Sequence, residues 1–156
     1  MSTQEPEQPG YVFPDPHLTL AEAIAQHRAM IPGFIEGDDD ESVALFTGHD
    51  AVHVIFGCSV SLPDEARADL WTMLATNMSL KRYMAYLKNP VVKALFSSFS
   101  AWQLLVSARG LLDLPRMWWR ARHMTHRWDF DSWPAHMNDS VQSIRASHNI
   151  QPIHAA

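Results

Sequence analysis

Val43-Ala44-Leu45-Phe46-Thr47-Gly48-His49-Asp50-Ala51-Val52-His53-Val54-Ile55-Phe56-Gly57 is the stretch from which the fold is read. Val43, Ala44, Phe46, His49, Val52, His53 and Phe56 recur at helical spacing, and Gly57 supplies a stop. Ala51, Val52, Val54, Ile55 and Phe56 make this helix apolar nearly all round, which places it in the interior and buries or half-buries His49, Asp50 and His53. Two imidazoles four apart lie on one helix face, one turn above the other. Asp50, three residues before His53, leans its carboxylate toward the same point. An unpaired carboxylate is costly to bury, so these groups need partners. A shared cation supplies one; a hydrogen-bonded Asp–His network without metal is the other solution.

The neighbouring helices are read from their punctuation. Thr19 with Glu22 forms a capping-box pattern, and Leu20, Ile24, His27 and Ile31 follow, predicting a helix near Thr19 to Met30 that ends before Pro32-Gly33. Ser61 with Asp64 three later, and Pro63 in the first turn, predicts a helix from about Leu62 to Met78. Glu65, separated from His53 by eleven residues, then sits at an amino-terminal helix end that favours a carboxylate. Further helices are expected over Ser79 to Lys88, Pro90 to Ala108 with Gly110 as terminator, Leu114 to about His126, and Asp131 or Ser132 to about His148. No stretch alternates in the manner of a strand, and no Asn-Gly or Asp-Gly turn occurs. The expectation is an all-α fold: a single helical domain of about six to seven helices over residues 19–150. A disordered or extended segment, 1–18, precedes it, with Met1 to Gly10 as a polar lead-in, and a tail, 151–156, follows.

A chain of 156 residues that is 47% hydrophobic is long enough for one real core and too short for two. Its one cysteine, Cys58, rules out an internal disulfide and suits a reducing compartment, so a cytoplasmic location is expected. Cys58 itself reads as a small buried residue. The mostly apolar stretch from Val91 to Leu114 is broken by Lys93, Arg109, Asp113 and several serines, which argues against a membrane span. A net charge of −5 argues against nucleic acid as a partner. The charge is unevenly spread, however. Glu36, Asp38, Asp39, Asp40 and Glu41 form an acidic run that reads as a solvated turn, lacking the alternating ligands of a calcium loop. Arg116, Arg120, Arg122 and Arg127 stand in a window without acids, beside Trp102, Leu104, Leu105, Leu111, Leu112, Leu114, Met117, Trp118 and Trp119. Apolar residues at helical spacing ordinarily build core. Tryptophan and arginine together also suit a lipid headgroup boundary, which makes Trp102, Arg116, Trp118, Trp119, Arg120 and Arg122 the candidate lipid or membrane contacts.

His49, Asp50, His53 and Glu65 are therefore the candidate ligands of a divalent metal, zinc first and iron or manganese next, and the candidate catalytic centre through it. A zincin peptidase helix would carry glutamate directly after the first histidine, where this chain has Asp50. A helical phosphohydrolase built on a His-Asp doublet needs an upstream histidine, here His17 or His27. It also needs a distant aspartate, here Asp113, Asp129, Asp131 or Asp139, and no spacing selects among them. That class stands as an alternative enzyme.

His49-Asp-x-x-His53, eleven residues and Glu65 resemble the signature of the coenzyme Q biosynthesis protein 4 family. Arg145-x-x-x-Asn149-Ile150-x-Pro152 resembles that family's carboxy-terminal pattern, with Asn149 where glycine is common, and the likeness extends over roughly Ser42 to Pro152. The resemblance implies an all-helical, dimeric, peripherally membrane-associated protein with zinc held by His49, Asp50, His53 and Glu65. It also implies ubiquinone biosynthesis: oxidative decarboxylation of a polyprenylated hydroxybenzoate, the ring carboxylate being replaced by a hydroxyl, or organisation of the other quinone-biosynthesis proteins. A non-catalytic, lipid-binding scaffold of the same pathway needs the same residues.

Overall fold

Thr19 accepts the backbone N–H of Glu22 while the Glu22 carboxylate accepts the backbone N–H of Thr19, and this capping box starts α1 (Leu20–Ala29). The computed structural model describes residues 11–34, 37, 39–97 and 100–154, with residues 91, 95 and 96 by backbone alone. The lead-in Met1 to Gly10 and the acidic-run members Glu36 and Asp38 lie outside the described residues. α2 (Asp40–Phe56) is capped by Asp39, which accepts from the Ser42 N–H, and its unbroken burial from Asp50 to Phe56 makes it the axis of the domain. It ends where Gly57 turns to φ 71, ψ 47, a left-handed conformation that suits glycine.

α3 (Leu62–Ala75) begins at Ser61 as expected, but Ser61 makes no side-chain cap. Its hydroxyl meets that of Ser59, and the Asp64 carboxylate turns back to Ser59 instead. α4 (Leu80–Tyr86) follows a Ser79 cap. The helix expected over 90–108 is divided into α5 (Pro90–Ser97) and α6 (Ala101–Ala108), because a second capping box, Ser100 with Gln103, restarts the chain. A 3-10 turn over Arg109–Asp113 leads into α7 (Leu114–Arg122). The last expected helix is also divided. Trp133–His136 forms a 3-10 turn, and α8 (Val141–His148) starts at a Ser140 cap. Asp131 is occupied by Arg82, and the Ser132 hydroxyl donates to the Asp129 carbonyl, so neither caps a longer helix.

Among the described residues the regular structure is helical, with isolated bridges only, Thr19 to Ser140 and Thr76 to Trp128. The all-α expectation holds. α1, α3 and α8 surround α2, and Leu20, Ile24, Ile55, Phe56, Trp71, Trp128, Phe130 and Ile144 are buried between them. Phe56 stacks on Trp71 at 4.8 Å. α6 and the turn after it close on the start of α3. Gly110 is buried there, and a Cβ on it would stand 2.2 Å from the Pro63 carbonyl oxygen, so the approach needs glycine.

Both ends of the described chain pack down. The Leu20 N–H donates to the Asp139 carbonyl and the Val141 N–H to the Leu18 carbonyl. The expected tail is folded onto the end of α2: Ile153 is buried and donates its N–H to the Phe56 carbonyl. No helix among the described residues is long and apolar enough to cross a membrane.

Candidate metal centre

Helical spacing brings His49 and His53 to one face of α2, their rings 4.8 Å apart, and the first turn of α3 delivers Glu65 to them. One ligand atom from each of His49, His53 and Glu65 lies within 4.8 Å of the others, so these three residues form a cluster that can hold a metal ion. The tautomer of His53 and the charge of Glu65 fit that use. His53 Nδ1 is 3.1 Å from the Ser59 carbonyl oxygen, which can only accept, so Nδ1 carries the hydrogen. Nε2 is left for the site, 3.3 Å from Glu65 Oε2, where it holds either a proton shared with the carboxylate or a cation. Burial pushes Glu65 upward, but His53, His49 and His27 outweigh it and hold the carboxyl at about 2, so the side chain is an anion across the working range.

The centre has a closed floor and an open lip. His53 is 1% exposed, while the Glu65 side chain retains 42% of its surface. Tyr86 lies across from His49, ring centres 6.1 Å apart. Burial first, then the carboxylates of Asp69 and Glu65, raise its phenol above the ordinary value and keep it a hydrogen-bond donor.

Asp50 is placed differently from the other three. Its carboxylate lies outside the cluster and accepts from Arg28 Nε at 2.7 Å, while Arg28 Nη2 donates to Thr47 Oγ1 at 2.7 Å. The physical reason is angular: position 50 is rotated about 100° from position 49 around the helix, and that side of α2 faces α1. His27, also from α1, stands with its ring 4.8 Å from that of His53 and its Nδ1 2.8 Å from the Tyr11 hydroxyl. Burial first, then the neighbouring His53, lowers His27 to about 3, so it stays neutral.

Asp69, Ser59, Arg28 and Tyr11 were not singled out by the sequence reading. Asp69 Oδ1 is 3.7 Å from His49 Nε2, an ion-pair separation rather than a hydrogen bond. Burial lowers His49, but Asp69, Glu65 and Asp50 outweigh it and raise the imidazole to about 9. The signal for Asp69 was available, since it follows Glu65 by four on one helix face. No local pattern marks Arg28, Ser59 or Tyr11. The aspartates nominated for a phosphohydrolase are occupied elsewhere: Asp113 by Arg67, Asp131 by Arg82, Asp129 by Asn77 and Asp139 by His136.

The carboxy-terminal pattern lies under the histidine helix. Arg145 donates from Nε to the Ile55 carbonyl and from Nη2 to the Val54 carbonyl, and the Gly57 turn packs against Pro152. Asn149 has φ 54, the left-handed conformation that asparagine shares with glycine. A cavity of about 550 Å³, large enough for a small ligand, opens beside Ser59 and Asp64 and is lined also by Tyr11, Phe13, Arg109 and His154.

The candidate lipid contacts lie on α6 and α7, those of α7 forming an exposed ridge. Trp102, Leu105, Leu112, Trp118 and Trp119 are exposed, as are Arg116 and Arg122, so the ordinary core reading holds in this segment for Met117 and not for them. Arg122 lies over the Trp118 ring at 4.7 Å. Arg120 is half-buried and donates to the Pro152 carbonyl at 2.6 Å.

Comparison with protein-family models, with curated proteins and with solved structures finds no match to this chain.

Proposed function

We propose that this protein is a divalent-metal protein of quinone biosynthesis, similar to the coenzyme Q biosynthesis protein 4 family, acting in the oxidative decarboxylation of a polyprenylated hydroxybenzoate. The observation that carries the proposal is the convergence of His49, His53 and Glu65, with His53 Nδ1 tied to the Ser59 carbonyl so that Nε2 is free for a cation. The left-handed Asn149, standing where the family pattern has glycine, supports the same reading.

Zinc suits two imidazoles and a carboxylate, with iron or manganese next. A cation bound there supplies Lewis-acid polarisation of a carboxylate substrate. His49, His53 and Glu65 would hold it. Asp50, fixed by Arg28, keeps negative charge beside the imidazoles, and Tyr86 offers a hydrogen bond to a substrate oxygen at the lip. The Trp118, Trp119, Arg116 and Arg122 ridge would seat the protein on an anionic membrane, where a prenyl chain resides. Homodimerisation and association with other quinone-biosynthesis proteins belong to the same proposal.

Mass spectrometry of the gently purified protein tests it. Stoichiometric divalent metal is expected, with metal lost from His53→Ala and Glu65→Gln variants, and the loaded protein is expected to form decarboxylated hydroquinone from a short-tailed prenyl-hydroxybenzoate under air. Unchanged metal content in both variants sinks the site. Retained metal and lipid with no product replaces the enzyme by the scaffold.

A further inference from the structure

Asp64 is 2% exposed, and each of its carboxylate oxygens takes two hydrogen bonds. Oδ2 accepts from the Ser59 backbone N–H at 2.7 Å and from the Ser59 hydroxyl at 2.5 Å. Oδ1 accepts from Arg67 Nη1 at 2.5 Å and from His154 Nε2 at 2.9 Å. A carboxylate with four donors has no capacity left for a metal, which separates Asp64 from its neighbour Glu65. Ser59 lies in the connection between α2 and α3, outside either helix, so no helical ladder holds its backbone. Its carbonyl is nevertheless the group that accepts from His53 Nδ1 at 3.1 Å. Asp64 therefore grips the residue that sets the tautomer and ring direction of a candidate ligand.

We propose that Asp64 is a positioning residue of the candidate metal centre, locking Ser59 so that the Ser59 carbonyl presents His53 Nε2 to the metal. The inference rests on the metal reading of His49, His53 and Glu65 and adds to it a residue outside the ligand set. Three separate parts of the chain meet at this carboxylate: the Ser59 turn, Arg67 one turn along α3, and His154 from the carboxy-terminal segment. A role confined to stability would need any anchored turn. A positioning role needs this turn held with its carbonyl toward His53, and partners of that kind typically change metal affinity by about 10- to 100-fold.

The test compares zinc affinity of the full chain, by competition with a chromophoric chelator, between the parent and Asp64→Asn. Asparagine keeps the shape but replaces one acceptor oxygen with a donor; with its oxygen kept toward the Arg67 cation, the amide leaves the Ser59 N–H without an acceptor. Affinity is expected to weaken by about 10-fold or more, the cobalt-substituted visible spectrum to change, and the His53 imidazole nitrogen resonances of the metal-free chain to show mixed tautomers. Asp131→Asn, which weakens the exposed Arg82 pair away from the site, is expected to leave all three readouts unchanged. Should Asp64→Asn fail to fold, Ser59→Ala and His154→Ala each remove one side-chain donor to Asp64 and are expected to weaken zinc binding several-fold. Folded variants with parental affinity and spectrum overturn the inference alone. A parent chain that binds no zinc overturns the metal reading and the inference together.

Discussion

Arg28 Nε stands 2.7 Å from Asp50 Oδ2, and this contact joins α1 to the histidine helix beside three imidazoles. The Asp50 side chain is 8% exposed. Burial raises its pKa, with Arg28 and His49 pulling in the opposite direction. Truncating Arg28 leaves a sunken carboxylate without its guanidinium. Arg28→Ala is therefore expected to lower unfolding free energy by about 3 kcal/mol, measured by urea denaturation, because the charge stays buried while its partner is gone. Arg28→Met with Asp50→Leu, which removes both charges, is expected to recover part of that loss. A loss under about 0.5 kcal/mol in the single variant, the range of an ordinary surface substitution, would show that Asp50 does not depend on Arg28.

His148 gives a pH dependence with a defined sign. It is 7% exposed at the end of α8, with Nδ1 3.0 Å from the Ile144 carbonyl and 2.9 Å from the Ser147 hydroxyl; the His126 and Trp128 rings pack against it. Burial lowers its pKa, the Ile144 carbonyl offsets part of this, and His126 and His136 lower it further. The unfolded chain takes up the proton near pH 6.5 while the folded chain resists it. Its contribution is thus fully present above about pH 6.5 and lost as pH falls from there to the folded value. The stability gap between parent and His148→Gln should shift against the parent over that window, read by thermal unfolding at a series of pH values. A gap that does not vary with pH would remove His148 from the acid sensitivity.

The exposed ridge predicts a salt-sensitive membrane contact. Arg116→Gln with Arg122→Gln is expected to weaken co-sedimentation with anionic phospholipid vesicles by about 10-fold or more, at about 1 kcal/mol per arginine near the surface. Trp118→Ser with Trp119→Ser is expected to reduce the part of the binding that persists in high salt, because the indoles supply apolar area rather than charge. Both pairs are exposed, so folding is expected to survive. Undiminished vesicle binding in both variants would leave the ridge without this role.

Much of the fold was legible because helices announce themselves locally. The Thr19–Glu22 box is set by side chains three residues apart that satisfy each other's backbone N–H, the Gly57 stop by glycine's access to the left-handed region, and the α3 start by Pro63 in its first turn. α3 and α7 stop at Ala75 and Arg122, short of the expected Met78 and His126, and two further expected helices are divided, one for a local reason and one for a distant one. The Ser100–Gln103 box restarts the chain within three residues, whereas Asp131 is unavailable as a cap because Arg82, 49 residues earlier, takes its carboxylate.

The sequence by itself determined that α2 is a buried helix presenting His49 and His53 on one face, since four residues make about one turn whatever surrounds them. It also placed Glu65 at a helix start, where a carboxylate is stable. Only the tertiary structure decided that Asp50 is taken by Arg28, that Asp69 flanks His49, that Asp64 and His154 hold the Ser59 turn, and that the tryptophan ridge faces outward. Apart from the short Asp64 to Ser59 link, these outcomes depend on groups brought together from distant parts of the chain, and burial and ion pairing are properties of neighbours in space. Helical periodicity tells which side of a helix a residue occupies, but packing alone supplies what stands opposite it.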